Sequence, residues 1–277
     1  MQNASARYEN IPLVDGTKLD RMAAWTRHRH LLFHLVGSDL RSRYRRSYLG
    51  IMWALVWPVA FSAIFATVAI NIFNAPFGEY VTYVITGFVL WDFLAGSISG
   101  GAQCFQAAEG YMRQTRLPYT VFALRSVTTL LVNFSFGTAA AMIMIIIATP
   151  QAVNWTWLMW PLVALSAFLF ALPCAILSGI AHLKFRDYQH AIGLVLFMMW
   201  YVSPVLIARD VYSSPQLKFF TDINPIASFC DSFRAIMMHG QLPDLHDIGV
   251  IAAYTAVLWA LALTWFSAER KNLVHWM

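Results

Sequence analysis

Six long apolar runs dominate the hydropathy pattern of the chain, at residues 50–73, 81–105, 120–148, 158–182, 190–207 and 248–266. A helix needs about 20 mainly apolar residues to cross a bilayer. The pattern therefore predicts six membrane-spanning helices. The third run is long enough to project beyond the bilayer, and the fifth is short and ends at Pro204. The remaining stretches leave no room for an independent soluble domain. The predicted fold class is an all-α integral membrane protein.

Two regions are neither spans nor simple loops. Within residues 21–47, Leu32, Val36, Leu40 and Tyr44 recur at four-residue spacing while arginines fill the other faces. That arrangement predicts an amphipathic helix lying along the membrane surface. Residues 204–247 hold Pro204, Pro215, Pro225 and Pro243, yet stay rich in apolar side chains. Asn224-Pro225 reads as a helix start, with an N-cap followed by proline in the first turn. From there Ile226, Phe229, Cys230, Phe233, Ile236 and Met237 repeat at helical spacing. A segment this apolar but too short to cross predicts a re-entrant or interfacial helix on the outer side.

Charge gives the spans a direction. The chain is 59% hydrophobic and only 12% charged, about half the charge of an ordinary globular domain. Nine of its 19 Lys and Arg precede residue 48, and Arg41, Arg43, Arg45 and Arg46 form a knot at the start of the first run. Arg113, Arg116, Arg125, Lys184, Arg186, Arg270 and Lys271 fall on the same side of the predicted spans. The opposite loops are nearly bare, and 208–247 sets Arg209, Lys218 and Arg234 against five aspartates. Basic residues favour the cytoplasmic face, so both termini are expected in the cytoplasm. The organisation is then a cytoplasmic segment 1–47, a six-span domain 48–268 and a cytoplasmic tail 269–277. No cleavable signal peptide is expected. The net charge of +5 does not indicate nucleic acid, because the basic residues cap apolar segments instead of forming one continuous patch.

Little in the sequence resembles a reaction centre. It contains no Gly-x-x-x-x-Gly-Lys-Ser/Thr loop, no His-Glu-x-x-His and no Gly-x-Ser-x-Gly. Cys104, Cys174 and Cys230 are far apart in apolar surroundings and read as buried small side chains. His30 and His34 lie one helical turn apart without an acidic or Cys neighbour, which suits an interface better than a metal. Asp92 is the acid embedded in a span. It either lines a hydrated path or bonds to a neighbouring helix. Arg125, just inside the third run, has no evident role.

Aromatic residues give the clearest pattern. Trp53, Trp57, Phe61 and Phe65 recur every four residues and form a stripe on one helix face. Phe88 and Trp91 in the second run, and Phe197, Trp200 and Tyr201 in the fifth, add to it. Flat apolar rings suit the C–H faces of sugars, and they also suit ordinary helix packing. The loop 107–118 is short and mixed in polarity, and Glu109, Tyr111, Met112, Arg113, Gln114 and Arg116 are its candidate docking residues. It reads either as a short helix that enters a partner's groove or as a plain connection.

Together these segments resemble the membrane subunit of type-2 ABC exporters, in particular permeases for capsule, O-antigen and related polysaccharides. The resemblance rests on Arg43-Tyr44-Arg45-Arg46-Ser47-Tyr48-Leu49-Gly50 followed by Trp53 and Pro58. Arg116-Leu117-Pro118, Phe185-Arg186-Asp187 and Asn224-Pro225 occur in the matching order. It implies a homodimer with six spans per subunit, an N-terminal interface helix and outer re-entrant helices between spans five and six. It also implies two separate ATP-binding-cassette subunits, which bind ATP and Mg; no cofactor is expected on this chain. Residues 109–116 resemble the family's coupling helix, and the aromatic sets fall where the family's conduit for a lipid-linked polysaccharide runs. The expected location is a bacterial inner membrane. Teichoic acid, drugs and small lipids are other cargoes of the class. An enzyme acting on lipid-linked sugars is a separate reading, for which one intramembrane acid offers little catalysis.

Overall fold

The computed structural model describes residues 18–45, 47–73, 76–108, 110, 120–185, 187–209 and 221–269, and all regular structure among them is helical. Helix α1, Lys18–Tyr44, is a single rod. Beyond it, Gly50 takes φ +52°, a conformation glycine adopts without steric cost. A short 3-10 turn, Gly50–Met52, leads into α2, Trp53–Phe73. Four helices follow: α3 (Phe77–Gln103), α4 (Thr120–Ala148), α5 (Trp160–Lys184) and α6 (Tyr188–Val202). The last two are α7 (Pro225–Met237) and α8 (Leu245–Glu269).

Helix α3 is the centre of the bundle and touches α2, α4, α5, α6 and α7. Its side chains Ile85, Leu90, Phe93 and Leu94 are fully buried. Phe93 meets Phe134 of α4 at 5.1 Å, Phe134 meets Phe233 of α7 at 5.8 Å, and Phe170 of α5 meets Phe229 at 5.2 Å. Gly101 permits the closest approach: a Cβ there would lie 2.4 Å from the Cα of Ala175 in α5. A second apolar cluster joins Phe105, Phe122 and Ile180 near the end of the bundle that carries α1. Cys104, Cys174 and Cys230 are all free and buried.

Five segments are long and apolar enough to cross a membrane: Gly50–Asn71, Phe77–Gln103, Thr120–Ala148, Trp155–Lys184 and Leu245–Glu269. The chain is therefore a multi-pass membrane protein. The fifth predicted span departs from expectation. It stops at Pro204 as expected, but the helix extends only over Tyr188–Val202, about 22 Å at 1.5 Å per residue, and the rest of the apolar run to 207 is not helical.

Ser203, the residue before Pro204, is extended, as proline favours, and distant side chains satisfy what the break leaves open. Once the helix stops, the carbonyls of 204–207 have no helical partner. Arg234 of α7 donates to the Pro204 oxygen at 2.6 Å and the Val205 oxygen at 3.1 Å. Tyr80 donates to the Leu206 oxygen at 2.8 Å, and the Tyr83 hydroxyl is 3.1 Å from the Pro204 oxygen and 3.2 Å from the Ile207 oxygen. A broken helix inside an apolar bundle needs such substitutes.

Helix α7 forms as its sequence predicts. The Asn224 side-chain oxygen Oδ1 accepts from the Ile226 backbone amide at 3.0 Å, and Nδ2 donates to the Ser203 hydroxyl at 2.8 Å. Ile226, Phe229, Cys230, Phe233, Ile236 and Met237 are all buried. Thr156 and Trp157 then donate to the Ile236 and Met237 carbonyls at 2.8 and 3.1 Å, satisfying the far end of the helix. The predicted helix of the N-terminal segment is also present, packed along α4. Among its described side chains Leu35 and Val36 are buried, and Leu32, Leu40 and Tyr44 are half-buried.

Candidate functional site

The helices bring most of the predicted aromatic residues into one place. Phe61 of α2 stacks on Phe88 of α3 at 4.3 Å and lies 4.5 Å from Phe65. Trp200 of α6 packs edge-on against Phe61, Phe88 and Trp91 at 6.0, 6.1 and 5.3 Å. These offsets and tilts are the favoured ones for aromatic pairs. Phe88 and Trp91 are each only 8% exposed, so their faces are largely occupied by their neighbours. Phe197 and Tyr201 pair with each other at 5.3 Å and are both exposed.

The stripe on α2 divides in two. Trp53 and Trp57 make no ring contact with the aromatic cluster; they are 47% and 59% exposed and line a separate cleft. This cleft, of about 410 Å³, lies between the end of α1 and helices α2, α3 and α4. Arg43, Tyr44, Asp92, Asn133 and Gly137 share its walls with the two indoles. The Tyr44 hydroxyl donates to the Asn133 side-chain oxygen at 3.0 Å. Asp92 therefore sits on the α1 side of the aromatic cluster and opens onto the cleft.

A polar latch holds α1 against this region. Arg125 of α4 donates through Nε to Asp39 at 2.6 Å and through Nη2 to the other carboxylate oxygen. Arg41, Arg43 and Arg45 are exposed beside it, whereas Arg46 lies outside the described residues. Glu109, Tyr111, Met112, Arg113, Gln114 and Arg116 also lie outside them.

Arg234 was missed in the sequence as a structural centre. It is 3% exposed, sits 3.5 Å over the Tyr83 ring and donates to the Tyr83 hydroxyl at 2.9 Å. Nearby, Arg209 bonds Asp231 at 2.8 Å and Asp222 at 3.1 Å, with Asp247 at 3.9 Å. The aspartate-rich composition of 208–247 signalled such pairing without identifying its members. Asn133 gave no signal at all, being one polar residue in an apolar run.

Residues 30–238 match the family described as ABC-2 type transporter. The chain is 25% identical over 249 residues to the O-antigen export system permease protein RfbA of Myxococcus xanthus, covering 90% of this chain and 95% of that one. It is 27% identical over 214 residues to a Klebsiella pneumoniae protein of the same name, covering 76% of this chain and 82% of that one. A second Klebsiella pneumoniae protein of that name is 26% identical over the same length. With the match extending from α1 through α7, the chain belongs to the ABC-2 type transporter family.

Proposed function

We propose that this chain is the permease subunit of an ATP-driven exporter that moves a lipid-linked cell-surface polysaccharide, O-antigen or capsule, across a bacterial inner membrane. The observation that carries this reading is the open aromatic surface of Trp53, Trp57, Phe197 and Tyr201, backed by the packed rings of Phe61, Phe65, Phe88, Trp91 and Trp200 from three helices. Such a surface suits a path for a chain of sugar rings, and the names of the relatives support the same cargo.

The chain has no phosphate-binding loop of its own. Two separate ATP-binding-cassette subunits supply hydrolysis, with ATP and Mg bound there. Residues 107–118 form the coupling element that inserts into them. The permease acts as a homodimer, joined through the sparsely buried outer faces of α2 and α6. Each copy crosses the membrane six times, with α6 and residues 203–209 completing the fifth crossing. Both termini face the cytoplasm, where α1 lies along the membrane surface among anionic lipids, and α7 re-enters from the outer side. The placement of 16 of 19 basic residues supports this orientation.

The test is genetic and chemical. Deleting the gene should abolish surface glycan and leave its lipid-linked form inside the cell, and the wild-type gene should restore export. Unchanged surface glycan after deletion would reject the reading. Intact glycan with lost export of a drug or lipid would reassign the cargo.

A further inference from the structure

The cleft beside the arginine knot has an unusual mix of side chains. Asp92 opens onto it and makes no hydrogen bond or close ion pair among the described residues. Arg43 shares the cleft with that carboxylate. Among the described residues the buried Asn133 amide nitrogen has no hydrogen-bond partner, although its oxygen is held by Tyr44. Trp53 and Trp57 add two open indole faces. The volume of about 410 Å³ falls within the range of small-ligand pockets.

A carboxylate only accepts hydrogen bonds, and guanidinium and amide N–H groups only donate them. A ligand that suits both must donate and accept from adjacent atoms. A phosphate only accepts, and it would face the Asp92 charge. An ammonium only donates, and it would face Arg43. A lipid tail would leave every polar group here unpaired, which is costly in an apolar setting. Adjacent hydroxyls on a ring with an apolar face meet all the requirements.

We propose that this cleft is a sugar-binding subsite that holds one pyranose ring. The ring lies against Trp53 or Trp57, its neighbouring hydroxyls donate to Asp92, and they accept from Arg43 and Asn133. The assignment rests on the export reading above and makes it specific. It gives the α1 end of the aromatic path a polar station where a sugar is registered before it meets the Phe61–Trp200 cluster. The ring can belong to the glycan chain or to the sugar head of a glycolipid.

The test uses the complete transporter in nanodiscs, titrated calorimetrically with fragments of two to six sugars cut from the host's own surface glycan. Wild-type protein should bind them saturably. Asp92→Ala should weaken binding about tenfold or more, as expected for losing a charged hydrogen-bond partner, while Asp92→Asn keeps part of it. Trp57→Ala should weaken binding, and Trp57→Phe should largely restore it. Assembly with the ATP-binding subunit, followed by size exclusion, shows that each variant is folded. Displacement of the bound fragments by a short lipid-linked sugar at much lower concentration than by unlinked fragments would assign the site to the glycolipid head. Geranyl diphosphate displacing the fragments, with loss in Arg43→Ala alone, would overturn the sugar assignment in favour of phosphate. Equal affinity in wild type and Asp92→Ala, or no saturable binding to wild type, would also overturn it. If those results came with export that still depended on the gene, the export reading would stand without this subsite.

Discussion

Arg125 and Asp39 join helices whose contact residues are 86 positions apart, through two parallel donors on one carboxylate. A forked arginine–carboxylate pair fixes orientation as well as distance. Both side chains keep about a quarter of their surface in solvent, 22% and 29%, so screening reduces the energy. We expect Arg125→Ala and Asp39→Ala each to loosen α1 from α4. A double-mutant cycle of unfolding in mild detergent should give a coupling of about 1–2 kcal/mol. Additive single effects would show that the pair does not hold α1.

Trp57 and Phe61 should behave differently although they are neighbours on one stripe. Phe61 is half-buried and packed against Phe65, Phe88 and Trp200. Phe61→Ala is expected to cost about 1–3 kcal/mol of stability, below the value for a fully buried ring. Trp57→Ala should leave stability within about 0.5 kcal/mol while lowering glycan export. Thermal unfolding and surface glycan, measured on both variants, separate packing from transport. Unchanged export in both would remove this stripe from the path.

Reversing charge in the coupling segment tests the link to the motor. Arg113→Glu together with Arg116→Glu should leave the complex assembled, with ATP hydrolysis continuing and glycan export lost. Co-purification, ATPase rate and surface glycan are the three measurements. Normal export would exclude the segment as the coupling element.

Gly87 faces the buried guanidinium. A Cβ there would lie 2.4 Å from Arg234 Nη2 and 2.8 Å from the Val205 oxygen. Gly87→Ala should destabilise the fold by about 1–3 kcal/mol through overpacking. Arg234→Lys should not replace arginine, because an ammonium lacks the planar fork that reaches several acceptors. Yield of monodisperse protein and melting temperature report both effects.

Periodicity and composition made the main elements legible. The run 120–148 matches α4 at both ends, and the Asn224-Pro225 start gave α7 its first turn. Long apolar segments and local caps are encoded within a few turns of chain, so they can be read there. Pro204 made the end of α6 legible, but not the groups that satisfy the freed carbonyls, because these include Tyr80, 126 positions from the carbonyl it binds. The same holds for Arg125: a charge inside an apolar run announces that a partner is needed, not which one. Asp39 was recoverable, as the one acid between Asp20 and Glu79. The aromatic residues were identified by spacing, but only the packing of three helices separates the closed set at Phe61 from the open pair at Trp53 and Trp57.

The break after Val202 has a consequence for reading variants. Tyr80, Tyr83 and Arg234 together stand in for a missing turn of helix, supplying from the side what the backbone would have supplied along its axis. Each therefore contributes to whether the chain can stop there at all. We expect a transport-dead phenotype at any of the three to be a folding phenotype. In a mutational survey they would score with the strongest export defects while touching no cargo, and only a parallel measure of protein abundance in the membrane would tell them from residues that do.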